Sequence, residues 1–150
     1  MTLERGNAGV SPAVASATMN WPWGVALLSG GATGAISLLT SLSDGVLAAI
    51  SQGTLTGIFF FALAGGAWMF LSGKGDRRAR RYAGKHPWQV AAVPAGLGGA
   101  GTALVVFITA ALGGSLIGGL FGAIAAGVGA GAVLWVLLGV IAMVAGNKSG

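Results

Sequence analysis

The chain has 150 residues, of which 55% are hydrophobic and only 7% are charged, and its mean hydropathy is +0.84. Soluble globular domains carry about 25% charged residues, so this composition excludes an ordinary soluble domain and predicts an all-helical integral membrane protein. The chain has no cysteine, which excludes disulfides, thiolate metal sites and thiol nucleophiles. Because about 20 apolar residues cross a bilayer, several spans use up this length, and we expect one transmembrane domain.

The chain begins with a polar segment, residues 1–20, which is predicted to be an N-terminal tail. It has no basic segment leading into an apolar one, so we expect no cleaved signal peptide and a retained first span. The first predicted span covers residues 23–42 and is the least hydrophobic, because glycines and hydroxyl side chains dilute it. The second covers residues 46–71 and is long enough to cross a bilayer with some tilt.

One apolar stretch follows, Val90 to Val144, and it is too long for a single span. Its glycine-rich part at 112–119 is the predicted break. The result is a third span at about 90–111 and a fourth at about 120–144. Pro94 then falls near the first turn of the third span, where proline is tolerated.

Positive charge is concentrated between the second and third spans. Residues 73–89 contain six of the eight Lys and Arg residues, namely Lys74, Arg77, Arg78, Arg80, Arg81 and Lys85. Short loops rich in Lys and Arg stay on the cytoplasmic side of a membrane, so we expect this basic loop in the cytoplasm. With four spans in residues 21–146, the N-terminus and the C-terminal tail at 147–150 are then also cytoplasmic. The expected location is the inner, or plasma, membrane.

Four tryptophans fall at the cytoplasmic ends of the first three predicted spans. Indole rings are enriched at the level of lipid headgroups, so we expect these residues to be interface anchors: Trp21, Trp23, Trp68 and Trp88. Trp135 lies deeper in the fourth span and does not follow this pattern.

The basic loop also indicates binding partners. Clusters of four to eight basic residues beside a membrane helix attract anionic lipid headgroups, at about 1 kcal/mol per charge. Setting the topology is a simpler explanation of the same charges. Arginine also pairs with phosphate and Tyr82 could stack on a base, but one short loop with one aromatic residue is a weak indicator of nucleic-acid binding. We therefore expect membrane lipids or a membrane-complex partner rather than nucleic acid.

Glycine accounts for 29 of the 150 residues and recurs at helical spacing, as in Gly30 with Gly34 and Gly53 with Gly57. Small residues allow helices in a bilayer to make close backbone contact, as in the GxxxG pattern. The fourth span carries two neighbouring ridges of small residues. Its predicted helix-packing and oligomer-forming residues are Gly114, Gly118, Gly122, Ala126, Gly127 and Gly131. Packing inside one bundle and contact between copies both remain open as interpretations.

The predicted spans contain no ionisable residue at mid-depth, where ion-coupled transport and intramembrane catalysis place such groups. Asp44 lies at a turn, and capping the second span is its expected role. His86 lies in the basic loop without another histidine or a cysteine, so we predict no metal site, no cofactor and no enzymatic activity. Gln52 and the threonines of the spans are expected to hydrogen-bond to other helices or to their own backbone.

Resemblances to known membrane proteins narrow the function further. The segment AAGVGAGAV at 125–133 resembles the alternating-glycine helix of rotary ATPase ring subunits and the pore-lining helix of small mechanosensitive channels. The ring subunits carry their ion on a mid-membrane carboxylate that these spans lack, so the resemblance does not extend to ion transport. Four-helix small multidrug transporters depend on a glutamate in the first helix, and the single glutamate here is Glu4 in the tail.

Three functional classes remain. The favoured one is a non-enzymatic scaffold or accessory subunit that assembles through Gly and Ala helix faces, and it predicts a homo-oligomer or a complex with a membrane partner. The second is a pore-forming protein, since phage-type holins are similarly short, have several spans and lack catalytic residues. The third comes from the second span, basic loop and third span, whose layout resembles that of conjugative pilin-type proteins.

Overall fold

The computed structural model describes residues 11–19, 21–72, 82 and 84–146, and this part of the chain is helical apart from short turns. Its α-helices are the short α1, Pro12–Met19, and four long ones: α2, Trp23–Thr40; α3, Val46–Leu71; α4, Pro87–Leu112; and α5, Leu116–Gly146. A short 3₁₀ helix, Leu42–Asp44, connects α2 to α3.

Helices α2 to α5 are long and apolar enough to cross a membrane, and they are the four candidate spans in the described residues. Their ends lie within four residues of the predicted ones, so the prediction of an all-helical protein with four apolar helices is confirmed. These helices indicate a multi-pass membrane protein. Helix α1 lies in the segment that the sequence predicts as a polar tail. The sequence did not indicate this helix, because its eight residues are too few for a membrane span.

Helix α4 begins three residues before the predicted third span. Pro87 occupies the start of the helix after the cap residue His86, a position for which the fixed φ of proline is suited. Pro94 consequently lies inside α4 and is buried, rather than near the first turn as expected. Interior proline is tolerated in membrane helices when neighbouring groups compensate for the lost backbone hydrogen bond.

Each of the two tight connections contains a glycine with positive φ. Gly114 has a φ of 81° between α4 and α5, and the Ser115 N–H donates to the Ala110 carbonyl at 2.9 Å, as in a Schellman motif. Gly45 has a φ of 105° and occupies the cap position of α3 without a side-chain cap. The predicted capping role of Asp44 is therefore wrong, because Gly45 separates it from the helix and Asp44 instead ends the 3₁₀ helix.

The helices form two antiparallel hairpins that pack on each other. Helix α2 packs on α3, α4 packs on α5, and α3 also contacts both α4 and α5. Few large side chains are fully buried: Leu134 and Leu138 of α5 are the largest, and Leu134 packs with Ala62 and Ala95. Contact between these helices therefore depends mainly on glycine and alanine.

One end of the bundle, which we call the loop end, contains α1, the start of α2 and α4, and the end of α3 and α5. Here Ala17 of α1 packs with Met69 and Val90, and the Trp88 ring lies over Gly139. The two tight connections lie at the opposite end. The basic segment that joins α3 to α4 begins and ends at the loop end.

Large apolar side chains cover the outside of the bundle. Leu28 and Ile117 are each 77% exposed, and exposed apolar residues occur along every long helix. A soluble monomer rarely exposes such continuous apolar surface, whereas lipid tails solvate it. The surface thus agrees with the four apolar helices in indicating a membrane protein.

Candidate functional site

In both hairpins, glycines bring the two helix backbones into direct contact. A Cβ atom at Gly30 would lie 2.7 Å from the Gly57 carbonyl oxygen, and one at Gly34 would lie 2.8 Å from that of Gly53. In the other hairpin, a Cβ at Gly99 would lie 2.7 Å from the Gly127 carbonyl oxygen. Any side chain at these positions would force the helices apart.

The predicted packing residues of α5 divide between two environments. Gly127 and Gly131 face α4, where Gly131 lies against Gly99. Gly118 and Gly122 are exposed, and Ala126 is half-buried. Gly114 lies in the connection before α5, so it serves the turn rather than a helix face.

A second row of small residues on α5 is left exposed by the other described residues. We call it the exposed stripe, and it consists of Gly118, Gly122, Ala125, Gly129 and Ala132. Large exposed side chains flank it, among them Phe121 at 69% and Val128 at 67%. The sequence interpretation followed steps of four through Ala126 and missed this row. Alternating steps of four and three, the spacing of a left-handed helix pair, are the signal that would have found it.

A deep hollow, which we call the apolar groove, lies between α2, α3 and α4. It has a volume of about 590 Å³. Glycines from all three helices line it, namely Gly30, Gly31, Gly57, Gly98 and Gly101. The rim residues Leu27 and Leu97 are 60% and 70% exposed, so the groove opens sideways between the helices. At the loop end it reaches Ala17 and Trp21.

A second hollow of about 600 Å³ lies between α4 and α5. Its floor consists of small residues such as Gly96 and Gly99, and Ala132 of the exposed stripe lies at its side. Trp135 borders it, and the indole N–H of Trp135 donates to the Trp88 carbonyl at 2.9 Å. This hydrogen bond brings the Trp135 indole beside Trp88 near the loop end.

The four predicted anchor tryptophans all lie at the loop end. Trp23 and Trp68 are 63% and 48% exposed. Trp21 is half-buried, because its ring lies over Gly65 and contacts Phe61 with ring centroids 5.6 Å apart. Trp88 packs against Trp135 at 5.1 Å between centroids. These rings thus lie at one end of the bundle, and their role as interface anchors stays a prediction.

Most of the predicted basic residues lie outside the described part of the chain, namely Lys74, Arg77, Arg78, Arg80 and Arg81. Lys85 is described and exposed. Three residues before it, Tyr82 packs on the cluster formed by Ala17, Met69 and Val90. The Tyr82 hydroxyl also donates to Gln89 Oε1 at 2.9 Å. These contacts attach the last part of the basic segment to α1 and α4.

Three threonines within the helices make hydrogen bonds of the kinds predicted. Thr54 donates to the Ile50 carbonyl at 2.7 Å, and Thr109 donates to carbonyls of its own helix. Thr56 instead donates to Ser37 Oγ of α2 at 3.0 Å. Gln52 is exposed on α3. Among the described residues, no group of three potential metal ligands was found.

Comparison of the chain with protein-family models, with curated proteins and with solved structures gave no match. The surfaces described above therefore provide the basis for assigning a function.

Proposed function

We propose that this chain is a non-enzymatic membrane protein that self-associates through the exposed stripe of α5. It acts as a scaffold or accessory subunit in the inner membrane. Its basic segment faces the cytoplasm and contacts anionic lipid or a partner. Conjugative transfer machinery is one setting that would use such a subunit, given the pilin-like layout of the middle of the chain.

The observation that carries the proposal is the difference between the two faces of α5. One face, with Gly127, meets α4 at backbone distance. The other presents Gly122 and Gly129, where an added Cβ would meet a neighbour only at 3.9 Å or not at all. Because helices in lipid associate through small residues rather than through the hydrophobic effect, a second small face without a partner among the described residues supports contact between copies.

A pore-forming function is the alternative proposal. Helix α5 contains no charged, hydroxyl or amide side chain, so a pore lined by the exposed stripe would have an apolar wall, and apolar constrictions block conduction by dewetting. This chemistry favours a packing role for α5 over a conducting one.

The test replaces both Gly122 and Gly129 with leucine. The added side chains point into open space in the single chain, so the bundle should still form. We expect the unaltered protein to be oligomeric in mild detergent by light scattering and the double variant to shift towards the monomer. As a matched control, Gly24→Leu with Gly31→Leu adds equal bulk at open positions of α2 and should leave the oligomer unchanged.

The same preparations, reconstituted in liposomes, discriminate scaffold from pore. Tight liposomes with a defined oligomer support the scaffold. Dye release that increases with oligomer content would replace it with the pore-forming alternative. If the double variant retains the size of the unaltered protein, the exposed stripe does not mediate assembly and the proposal is wrong.

A further inference from the structure

We infer that the apolar groove holds one acyl chain of an anionic phospholipid, with the headgroup at the loop end. Its shape suits a hydrocarbon chain. The volume of about 590 Å³ lies in the range of ligand pockets. An added Cβ at Gly31 would meet nothing within 4 Å, so the hollow is open where the missing side chain would be. The exposed rim residues Leu27 and Leu97 let a chain enter from the bilayer.

The lining chemistry favours an apolar ligand. Two hydroxyl groups line the groove, and both already donate within their own helices. Thr54 donates to the Ile50 carbonyl, and Thr18 donates to the carbonyls of Val14 and Ala15. The remaining lining is aliphatic, aromatic or glycine. A hydrocarbon chain needs no hydrogen bond and can fill this space, whereas a polar molecule would lose its hydrogen bonds with water.

Charge complementarity selects an anionic headgroup. The groove reaches the loop end at Ala17 and Trp21, and Ala17 belongs to the cluster on which Tyr82 of the basic segment packs. Lys85 is exposed three residues further along the chain. Cations beside a membrane helix attract anionic headgroups, and the exposed Trp23 lies at the same level for headgroup contact.

The α4–α5 hollow does not carry the same inference. It is bounded by Trp135 and Ile124, and its lining includes no residue of α1 or of the start of α2. It therefore does not reach Ala17, which belongs to the cluster on which Tyr82 packs beside the apolar groove.

The inference rests on the lipid contact in the proposed function and specifies the lipid, but it does not depend on self-association. The test uses native mass spectrometry of the full chain released from bilayer nanodiscs with equal phosphatidylglycerol and phosphatidylcholine. We expect one retained phosphatidylglycerol per chain. Gly31→Leu should abolish retention because the side chain fills the groove, whereas Gly24→Leu on the same helix, also in open space, should preserve it.

Two further measurements make the outcome decisive. Lys85→Gln should lower the preference for phosphatidylglycerol roughly fivefold while a lipid is still retained. Phosphatidylglycerol brominated along its acyl chain should quench the tryptophan fluorescence of the unaltered protein more than the brominated phosphatidylcholine does. This measurement does not depend on whether a variant folds.

Equal retention of both lipids, or retention by Gly31→Leu equal to that of Gly24→Leu, would overturn the inference. The variant with leucine at Gly122 and Gly129 separates the two proposals. If it is monomeric and still retains phosphatidylglycerol, both proposals stand. If it remains oligomeric and retains the lipid, only the self-association proposal fails.

Discussion

At the scale of single residues, glycines close together in the sequence have different roles, and the difference lies in what an added side chain would touch. Gly96 and Gly99 are one helical turn apart on α4. A Cβ at Gly99 would lie 2.7 Å from the Gly127 carbonyl oxygen and 3.1 Å from the Gly131 Cα, whereas a Cβ at Gly96 would meet nothing within 4 Å. Only Gly99 is therefore required for the α4–α5 hairpin.

We therefore expect Gly99→Leu to destabilise the bundle and Gly96→Leu to leave its stability unchanged. Overpacking of a close contact costs about 1–3 kcal/mol, and here the obstacle is backbone, which cannot move aside as a side chain can. Unfolding by a denaturing detergent, followed by far-UV circular dichroism, measures the difference. Equal stability of the two variants would show that α4 and α5 are not in backbone contact at Gly99.

This residue-scale distinction could not be made from the sequence. The pattern placed Gly118 and Gly122 in the same class as Gly127 and Gly131, because spacing gives a periodicity but not the rotation of a helix about its axis. In α5, glycine and alanine occur on several faces. Hydropathy therefore does not indicate which face is inside, as it would on an amphipathic helix.

At the scale of elements, hydropathy and length were sufficient to locate the helices, because only a helix satisfies every backbone polar group across a bilayer. The α3 bounds were predicted to the residue. The start of α4 and the short α1 were missed, since both lie in segments with weak hydropathy where proline and local packing determine the structure. Which helices contact each other was also beyond the sequence, which predicted only that small-residue faces and hydroxyl groups would make such contacts.

The hydrogen bond from Thr56 to Ser37 connects α3 to α2. We expect Thr56→Val to destabilise the protein by about 0.6 kcal/mol, the average for such bonds between membrane helices. Thr109→Val is the matched control, because the Thr109 hydroxyl bonds within its own helix and its loss should have a smaller effect. A double-mutant cycle with Ser37→Ala isolates the pair, and additive effects of the two changes would show that the bond contributes nothing.

At the scale of the whole molecule, charge and fold together predict an orientation. Both tight connections lie at the end opposite the basic segment, and the described residues of those connections include one ionisable side chain, Asp44. Lys and Arg in short loops stay in the cytoplasm, so we expect the loop end to face inward. The molecule would then expose Ser43 and Ser115 to the outside.

Because the chain contains no cysteine, a single introduced cysteine can report which side of the membrane its position faces. Single variants Lys85→Cys, Ser43→Cys and Ser115→Cys each introduce a thiol at an exposed position. In intact cells, a membrane-impermeant maleimide should label the two serine replacements but should label Lys85→Cys only after permeabilisation. Labelling of Lys85→Cys in intact cells would show that the orientation is the opposite of the predicted one. Because the apolar groove reaches the loop end, the same result decides its lipid source: with Lys85 inside, the acyl chain must come from the cytoplasmic leaflet, where basic segments meet anionic headgroups.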